Sequence, residues 1–545
     1  MRTSDKILAL LLLLGLLLSV AFLVFWNPGS HAPEQEENDL PLNDEDVEPL
    51  PPPPPGPDDG SIPEDGSEAE EDLTFGGATI RFLVCSDGMY GDMNLATRSI
   101  LPTGTSENFV NYALLERNQA VEKTLDVKIE MVPCQPEKTA VILSNLMISG
   151  LHTYDVVGAY QYYDLGLSIG ENSGFFINYE NPQLKKDIHI NPNAPYWDGK
   201  LYDLMTVYGN VNWITGELTQ TWISSLYVSY INCELWQANA ELIAACTTAK
   251  GISDPFELVQ NGLWTIDLWT EISKAIWKDQ DSSQTVDEDD IVGFMSYEPG
   301  KFNFMADALA VGSGVTYSTL HPSGVYVDQF DTLHNRQFSE KLASLYSLSS
   351  HVLQLSEDSP VKPIQQFTGG RVLMTIAPMY ESEFVHTQMD AYYILPLPKL
   401  LKGSSTGYTT THCDNLTLFG IPTSAVKEGK LAAITSTMEM LAAKSAENVT
   451  FQYYACGLQT RFNRATADSF AKQAKMLDTI RDSVTHDFMH LYSHEIDQRT
   501  SNTTSPAHFF RSYCGSTAGV HQIRTHNSDW SQALKKLLND MQLPY

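Results

Sequence analysis

The sequence is poor in basic side chains and in paired cysteines, and each shortage excludes a class of protein. Its 545 residues include 34 Lys and Arg against 67 Asp and Glu, a formal charge of −33. A field of that sign repels nucleic acid and anionic headgroups, which argues against a polyanion-binding protein. The seven cysteines include no CxxC pair, so they form neither a zinc site nor a dense disulfide framework. One or two bridges remain possible outside the cell, but spacing does not choose the partners.

Other absences concern phosphate binding and membrane spans. The sequence has no Walker phosphate loop and no GxGxxG fingerprint. Only the run from Ile7 to Trp26 is apolar enough, over enough residues, to cross a bilayer, which excludes a multi-span transporter. Arg2 and Lys6 precede this run, so residues 1–32 are expected to be an export signal or a membrane anchor. Its length favours an uncleaved anchor, although cleavage after Ala32 stays open.

The segment after this run has a composition that does not build a core. Residues 33–73 contain ten prolines and sixteen acidic residues, with no Lys or Arg. Such a chain repels itself and stays extended, so residues 33–74 are predicted to be a disordered linker that lifts the folded part off a membrane. Because no Cys occurs before Cys85, a lipid anchor directly after the apolar run is not expected.

The folded part begins with alternating strand and helix patterns. Residues 79–85 form an apolar, β-branched run, and a helical period follows from 106 to 125. A second strand at 127–132, a helix at 138–149 and a buried strand at 154–157 come next. The order β-α-β-α-β predicts a parallel sheet whose ligand crevice lies beyond the carboxyl ends of its strands.

A series of short motifs then makes the chain resemble a known family. In order, the motifs are YDVV at 154–157, YWDGKLY at 196–202, LYVSYIN at 226–232, NGLWTID at 261–267, FTGGR at 367–371, YILPLPK at 393–399 and a small-residue helix near 435–446. This set resembles the extracellular solute-binding proteins of carbohydrate ABC importers, the maltose-binding-protein-like family, and especially its large Gram-positive members. The missing lipoprotein Cys departs from the usual anchoring of that family.

The resemblance implies a two-lobed α/β fold of the periplasmic-binding-protein type II, with a hinged cleft between the lobes. The first lobe is expected to comprise residues 75–221 and 391–463, and the second lobe residues 222–390 and 464–545. The resemblance also implies a monomer that binds a small solute, works with ABC permease subunits and needs no cofactor. It would lie at the outer face of the cytoplasmic membrane or be secreted.

A sugar site needs aromatic platforms for C–H faces and carboxylates or amides for hydroxyls. The predicted loops supply both kinds of side chain. The candidate ligand-binding residues are Asp87, Tyr90, Tyr160, Tyr162, Trp222, Tyr380, Glu381 and Asp414. Trp222 and Tyr380 are expected to reach the ligand from the second lobe, opposite Asp87, Tyr90 and Tyr160 from the first.

Two further patterns carry oxygen or nitrogen ligands at regular spacing. Asp279, Asp281, Ser283 and Asp290 stand at positions one, three, five and twelve of a calcium-type loop, but Gln284 replaces the Gly at position six. A structural calcium ion is one interpretation of this loop. His486, His490 and His494 recur every four residues without the HExxH order, and a partly exposed helix face is the expected explanation.

The leading hypothesis is therefore a non-enzymatic receptor that closes on a solute, which the resemblance implies is an oligosaccharide, and presents it to a permease. One alternative is a secreted carbohydrate-active hydrolase with paired carboxylates, which sequence alone cannot locate. Another is a surface-anchored sensor that passes its closed form to a signalling partner.

Overall fold

The computed structural model describes most of the chain after residue 72. The described residues are 73–85, 109–247, 251–301, 303–348, 351–356, 359, 361–389, 391–403, 407–454 and 467–542. All of them belong to the compact unit Glu70–Tyr545. The predicted anchor, residues 33–72 of the predicted linker, and both Asp87 and Tyr90 lie outside the described residues. Within the described residues, no helix combines the length and the apolar character needed to span a membrane.

The first sheet contains four strands in the order β12-β3-β1-β2. Strands β1 (Ala78–Cys85), β2 (Val127–Cys134) and β3 (Val156–Tyr160) run parallel, and β12 (Thr417–Gly420) is antiparallel to β3. All five residues of β3 are buried, as expected for a strand covered on both faces. The predicted β-α-β-α-β order is confirmed, with helices Phe109–Leu125 and Pro136–Ser149 between the strands.

The second sheet is built around two fully buried strands, β4 (Tyr227–Asn232) and β10 (Val372–Pro378), which pair antiparallel. Its order is β11-β4-β10-β6-β5, with β9 also paired to β6. The remaining strands are β5 (Trp277–Lys278), β6 (Ile291–Tyr297), β9 (Val352–Leu355) and β11 (Tyr392–Leu395), and a separate hairpin joins β7 (Ser318–Leu320) to β8 (Tyr326–Asp328).

Helices surround both sheets, and several start at residues whose side chains cap them. The Thr265 hydroxyl accepts from the Leu268 N–H at 3.3 Å, and the Asp254 carboxylate accepts from the Phe256 N–H at 2.8 Å. After the two helices of the first sheet, the α-helices are Gln161–Asp164, Gly199–Met205, Thr221–Ser224, Cys233–Ala238, Ala240–Cys246, Pro255–Gln260, Ile266–Ala275, Phe304–Gly312, Leu333–Tyr346, Lys362–Thr368, Ser382–Gln388, Ser424–Lys427, Leu431–Lys444, Ala467–Asp482, Phe488–Leu491, Ser493–Asp497, Pro506–Tyr513 and Gly519–Asp540. Short 3-10 turns occupy Leu165–Ser168, Gly170–Asn172, Lys185–Asp187 and Met379–Glu381, and a π turn occupies Ser445–Val449.

Three segments that run between the sheets lie side by side. Leu226 bridges His412, and Thr410 bridges Val484. The Tyr227 N–H donates to the Thr411 carbonyl at 3.0 Å. We call residues 222–227, 409–413 and 483–486 the crossover segments.

One predicted lobe boundary is placed too early. The predicted first lobe includes strand β11 (Tyr392–Leu395), but this strand pairs with β4 in the second sheet. The chain returns to the first sheet only through residues 409–413, which lead into β12. The first three residues of the YILPLPK motif, 393–395, therefore belong to an edge strand of the second sheet, because they pair with β4.

Candidate functional site

Backbone hydrogen bonds bring the ends of strands from both sheets together. The Tyr162 N–H donates to the Asp414 carbonyl at 3.3 Å, and the Cys413 N–H donates to the Ser225 carbonyl at 2.8 Å. The next residue after Ser225 is Leu226, and its carbonyl accepts from the Met379 N–H at 2.8 Å. Tyr162 and Asp414 from the first sheet thus lie close to the turn that follows β10. This is the place where an open α/β sheet binds ligands.

The side chains at this place form what we call the cleft cluster, which consists of Tyr162, Asp307, Asp414, His508 and Arg511. Arg511 Nε lies 2.5 Å from Asp307 Oδ2, and Arg511 Nη2 lies 3.9 Å from Asp414 Oδ2. The ring of Tyr162 lies 5.9 Å from the ring of His508. One guanidinium therefore links a carboxylate of the helix Phe304–Gly312 to a carboxylate beside the first sheet.

The charges in the cleft cluster are set by burial and by pairing. Burial alone would lower the pKa of Arg511, but Asp307 and Asp414 raise it above its usual value, so the guanidinium stays charged. Burial raises the pKa of Asp307 to about 6, even though Arg511 opposes the shift. Within the described part of the chain, Asp307 Oδ1 is buried without a hydrogen-bond partner. The cluster thus contains a fixed cation and a buried acceptor that lacks a donor.

Each of the two rings in the cleft cluster, His508 and Tyr162, has a further partner outside the cluster. His508 Nδ1 lies 2.7 Å from Asp497 Oδ2, and the ring of Tyr162 lies 4.8 Å from that of His494. The helices that carry these residues, Ser493–Asp497 and Pro506–Tyr513, follow the last crossover segment. Sequence reasoning missed Asp307, His508 and Arg511 because no local pattern distinguishes them.

The other predicted residues near this place are buried. Tyr160 is the last residue of β3, not a loop residue as predicted. Tyr380 and Glu381 lie in the buried turn Met379–Glu381 that follows β10. The Tyr230 hydroxyl donates to the Pro378 carbonyl at 2.9 Å, which holds the start of this turn against the sheet. All three predicted residues are thus buried within the fold.

Trp222 lies in the helix Thr221–Ser224, at the start of the first crossover segment. Its indole Nε1 donates to Asp198 Oδ2 at 3.0 Å, and His486 Nε2 lies 2.8 Å from the same oxygen. These three side chains, with Glu217 and Arg481, line a cavity of about 650 Å³ that we call the crossover cavity. Trp222 is therefore one of the side chains that line this cavity.

A pair of stacked histidines lies beside the crossover cavity. The rings of His412 and His486 are parallel within 4° with centroids 5.6 Å apart, and His412 Nε2 donates to the Trp222 carbonyl at 2.8 Å. Burial, assisted by the neighbouring His486, lowers the pKa of His412 to about 3. Burial alone would raise the pKa of Asp198, but His486 lowers it below its usual range. His412 is therefore neutral, and Asp198 is ionised.

The expectation that the three histidines lie on one partly exposed helix face is wrong. His486 lies in the loop before the helix Phe488–Leu491, His490 lies within that helix, and His494 lies in the next helix. Their rings contact different partners, since His490 stacks on Tyr317 at 5.8 Å while His494 contacts Tyr162.

We expect His412→Gln to make folding less sensitive to acid. Below the ordinary histidine pKa of 6.5 the unfolded chain binds a proton at His412, whereas the folded chain does so only near pH 3. The free energy of unfolding of the parent is therefore highest above pH 6.5 and decreases as the pH falls from 6.5 towards 3. Between pH 7 and pH 5 the parent should lose about 2 kcal/mol more than the variant, as measured by urea unfolding.

The control for this measurement is His321→Gln, at an exposed position. That variant should follow the parent at both pH values. A His412→Gln variant that loses as much stability as the parent would show that His412 takes up its proton equally in both states.

The calcium-type loop brings its carboxylates together. One oxygen each from Asp279, Asp281 and Asp290 lies within 4.8 Å of the others. Gln284, at the position of the usual Gly, has the left-handed φ of 61° that the loop requires. The Ser283 hydroxyl donates to the Thr285 carbonyl at 2.9 Å. The oxygen ligands suit calcium chemically, and a structural calcium ion stays a prediction.

The comparisons with known proteins concern the fold. No protein-family model matches the sequence, and no curated protein is similar enough to count as a relative. Solved structures do match, over nearly the whole described chain. The cyclic alpha-maltosyl-1,6-maltose binding protein from Arthrobacter globiformis gives a TM-score of 0.53 at 10% identity, covering 85% of this chain and 99% of that protein.

Two further structures give similar values. A cyclo/maltodextrin-binding protein complexed with maltotetraose has a TM-score of 0.51 at 12% identity, covering 88% of this chain and 100% of its own. The GacH receptor of Streptomyces glaucescens, solved unliganded and with acarbose, has a TM-score of 0.50 at 10% identity, covering 86% and 100%. The chain therefore has a mixed α/β fold that matches these two-domain solute-binding proteins, which confirms the predicted α/β fold, while the hinge between the lobes stays a prediction.

Proposed function

We propose that the protein is an exported solute-binding protein that takes an oligosaccharide between its two lobes and delivers it to an ABC importer. The observation that carries this proposal is the cleft cluster, which lies where strand ends of both sheets meet in a fold shared with sugar-binding proteins. The neighbouring structures are binding proteins, which supports a non-enzymatic role.

The chemistry of the cleft cluster suits a neutral, hydroxyl-rich ligand. The Tyr162 ring offers an apolar face for C–H bonds, while the Asp414 carboxylate accepts from hydroxyls. The Arg511 guanidinium donates in a fixed direction because Asp307 holds it. We propose that Tyr162 and Asp414 contact the ligand directly. The buried residues Tyr160, Tyr380 and Glu381 would support the site from within the fold. Asp87 and Tyr90 remain proposed contacts from the first lobe.

The finer features of this role follow from the sequence. Residues 1–32 would export the chain and anchor it, and residues 33–74 would space the receptor from the membrane. The lobes would close on the solute, because contacts to both lobes exist only in the closed form. The receptor would work as a monomer at the outer face of the membrane. Its partners would be the permease subunits of the importer, or a signalling protein if it is a sensor.

A ligand panel tests the proposal. The purified protein is heated with oligosaccharides that include maltotetraose and acarbose, and each mixture is then analysed for products. A binder at one hundred times its Kd should add about 2.7 kcal/mol to the stability of the folded state and raise the melting temperature. Binding without turnover supports the receptor. Product release would favour the alternative hydrolase, and no shift with any sugar would contradict an oligosaccharide ligand.

A further inference from the structure

Two cysteines end neighbouring strands of the first sheet. Cys85 is the last residue of β1 and Cys134 the last residue of β2, and they are direct partners in the parallel register. Neighbouring strands lie about 4.8 Å apart, and disulfides join Cα atoms about 4.4–6.8 Å apart. Partners in register also point to the same face of a sheet. The backbone therefore already holds this pair at the separation that a disulfide needs.

The side chains confirm that both sulfur atoms face one point. The Thr139 hydroxyl lies 3.0 Å from Cys85 Sγ and 3.6 Å from Cys134 Sγ. Both cysteines are buried, and Thr139 is buried with them. No large rearrangement of the backbone separates these thiols from a bond, because a rotation about χ1 moves a sulfur atom without moving the strand.

A carboxyl group completes the arrangement. Cys85 Sγ donates to Asp164 Oδ2 at 3.6 Å, and Asp164 is itself buried in the helix Gln161–Asp164. In the described part of the chain, Asp164 Oδ1 is buried without a hydrogen-bond partner. Burial raises the pKa of Asp164 to about 7, and burial followed by the charge of Asp164 raises the pKa of Cys85. A thiol in such surroundings needs a nearby base to react.

We propose that Cys85 and Cys134 are a redox-active pair that forms a disulfide at the ligand edge of the first sheet, with Asp164 as the proton acceptor for Cys85. This inference concerns the thiols alone and does not depend on which solute is bound. The bond would join the carboxyl ends of β1 and β2.

The reaction balances with a disulfide as the oxidant, such as oxidised glutathione or an extracytoplasmic protein disulfide. Asp164 takes the Cys85 proton, and the thiolate attacks one sulfur of the oxidant to give a mixed disulfide and one free thiol. The Cys134 thiolate then attacks Cys85 Sγ and releases the second thiol. Two protein thiols are oxidised, and the oxidant disulfide is reduced to two thiols that carry the two protons.

The test is oxidative refolding of the full chain. Reduced, unfolded protein is refolded with a mixture of oxidised and reduced glutathione, blocked with an alkylating agent under denaturing conditions, and mapped by mass spectrometry. We expect a peptide pair that links Cys85 to Cys134, lighter by two hydrogens than the reduced pair. Recovery of both residues alkylated, or linkage of either one to another cysteine, would overturn the proposal.

Cysteine variants show whether a change in melting temperature on reduction comes from the proposed disulfide or from another effect of the reductant. Dithiothreitol should lower the melting temperature of the oxidised parent by a few degrees, because the bond closes a loop of about fifty residues. Cys134→Ser should show no such shift, while Cys246→Ser, at a half-buried cysteine outside the pair, should behave like the parent. A shift that persists in Cys134→Ser would contradict the assignment.

The role of Asp164 has its own readout. Because the folded chain buries both thiols, the reduced protein is refolded with oxidised glutathione at several pH values, and linkage is followed with time. The parent rate should rise around pH 7, as Asp164 becomes able to accept a proton, and Asp164→Asn should lose that rise and react at least several-fold more slowly at pH 8. An unchanged profile in Asp164→Asn would remove Asp164 from the reaction.

Discussion

Replacing Arg511 by Met is expected to destabilise the folded state by about 3–5 kcal/mol. The guanidinium is largely buried and pairs with Asp307, whose own side chain is only 5% exposed. Without Arg511, the Asp307 carboxylate stays buried without a compensating charge. Urea unfolding at pH 8 measures the loss.

The pH dependence of that loss identifies its cause. The pKa of Asp307 is already raised to about 6 by burial, and removal of Arg511 raises it further. A carboxyl whose folded pKa is raised destabilises the folded state at high pH and ceases to do so once protonated. The destabilisation should therefore shrink at pH 5.

The control is Arg81→Met, which breaks the exposed pair with Glu130 and should cost less than about 1 kcal/mol at either pH. An Arg511→Met variant that resembles this control would show that the pair with Asp307 contributes little.

Removing Tyr162 or Asp414 is expected to weaken oligosaccharide binding about thirtyfold or more. An aromatic residue at the centre of a binding site typically contributes about 2 kcal/mol or more, and an unpaired ligand hydroxyl costs about 1–3 kcal/mol. Calorimetry on Tyr162→Ala and Asp414→Asn, with the sugar that stabilises the parent most, measures the loss.

The matched control is Tyr112→Ala, a tyrosine on the helix Phe109–Leu125 that is 62% exposed. It should bind like the parent. The same measurement on Trp222→Ala places the ligand, because Trp222 lines the crossover cavity and not the cleft cluster. If Trp222→Ala loses affinity while Tyr162→Ala and Asp414→Asn do not, the ligand binds in the crossover cavity and the assignment to the cleft cluster is wrong.

The parts of the fold that could be predicted from the sequence are those that depend on residues close together in the chain. The alternation of apolar strands with helical periods predicted β1 to β3, and the ordered motifs predicted the two-lobed fold. The proximity of Tyr162 to Asp414 could be predicted because residues beyond strand ends converge wherever such a sheet forms, while their contact with a ligand stays a prediction.

The features that could not be predicted from the sequence depend on contacts between residues far apart in the chain. Arg511 and Asp307 are separated by 204 residues, so no window of sequence contains both. The direction of Trp222 follows from its hydrogen bond to Asp198, which no local rule specifies. The assignment of β11 to the second sheet depends on its pairing with β4, because an apolar run of four residues fits an edge of either sheet.

Hydrogen–deuterium exchange of the full chain, with and without a saturating oligosaccharide, tests the interlobe site most directly. Peptides that contain residues 160–162 and 413–414 report on the first sheet, and those that contain 225–227 and 378–381 report on the second. A ligand held in the cleft should slow exchange in both sets together. Slowing confined to one set, or centred on residues 192–200 and 481–486 around the crossover cavity, would contradict a sugar site between the lobes.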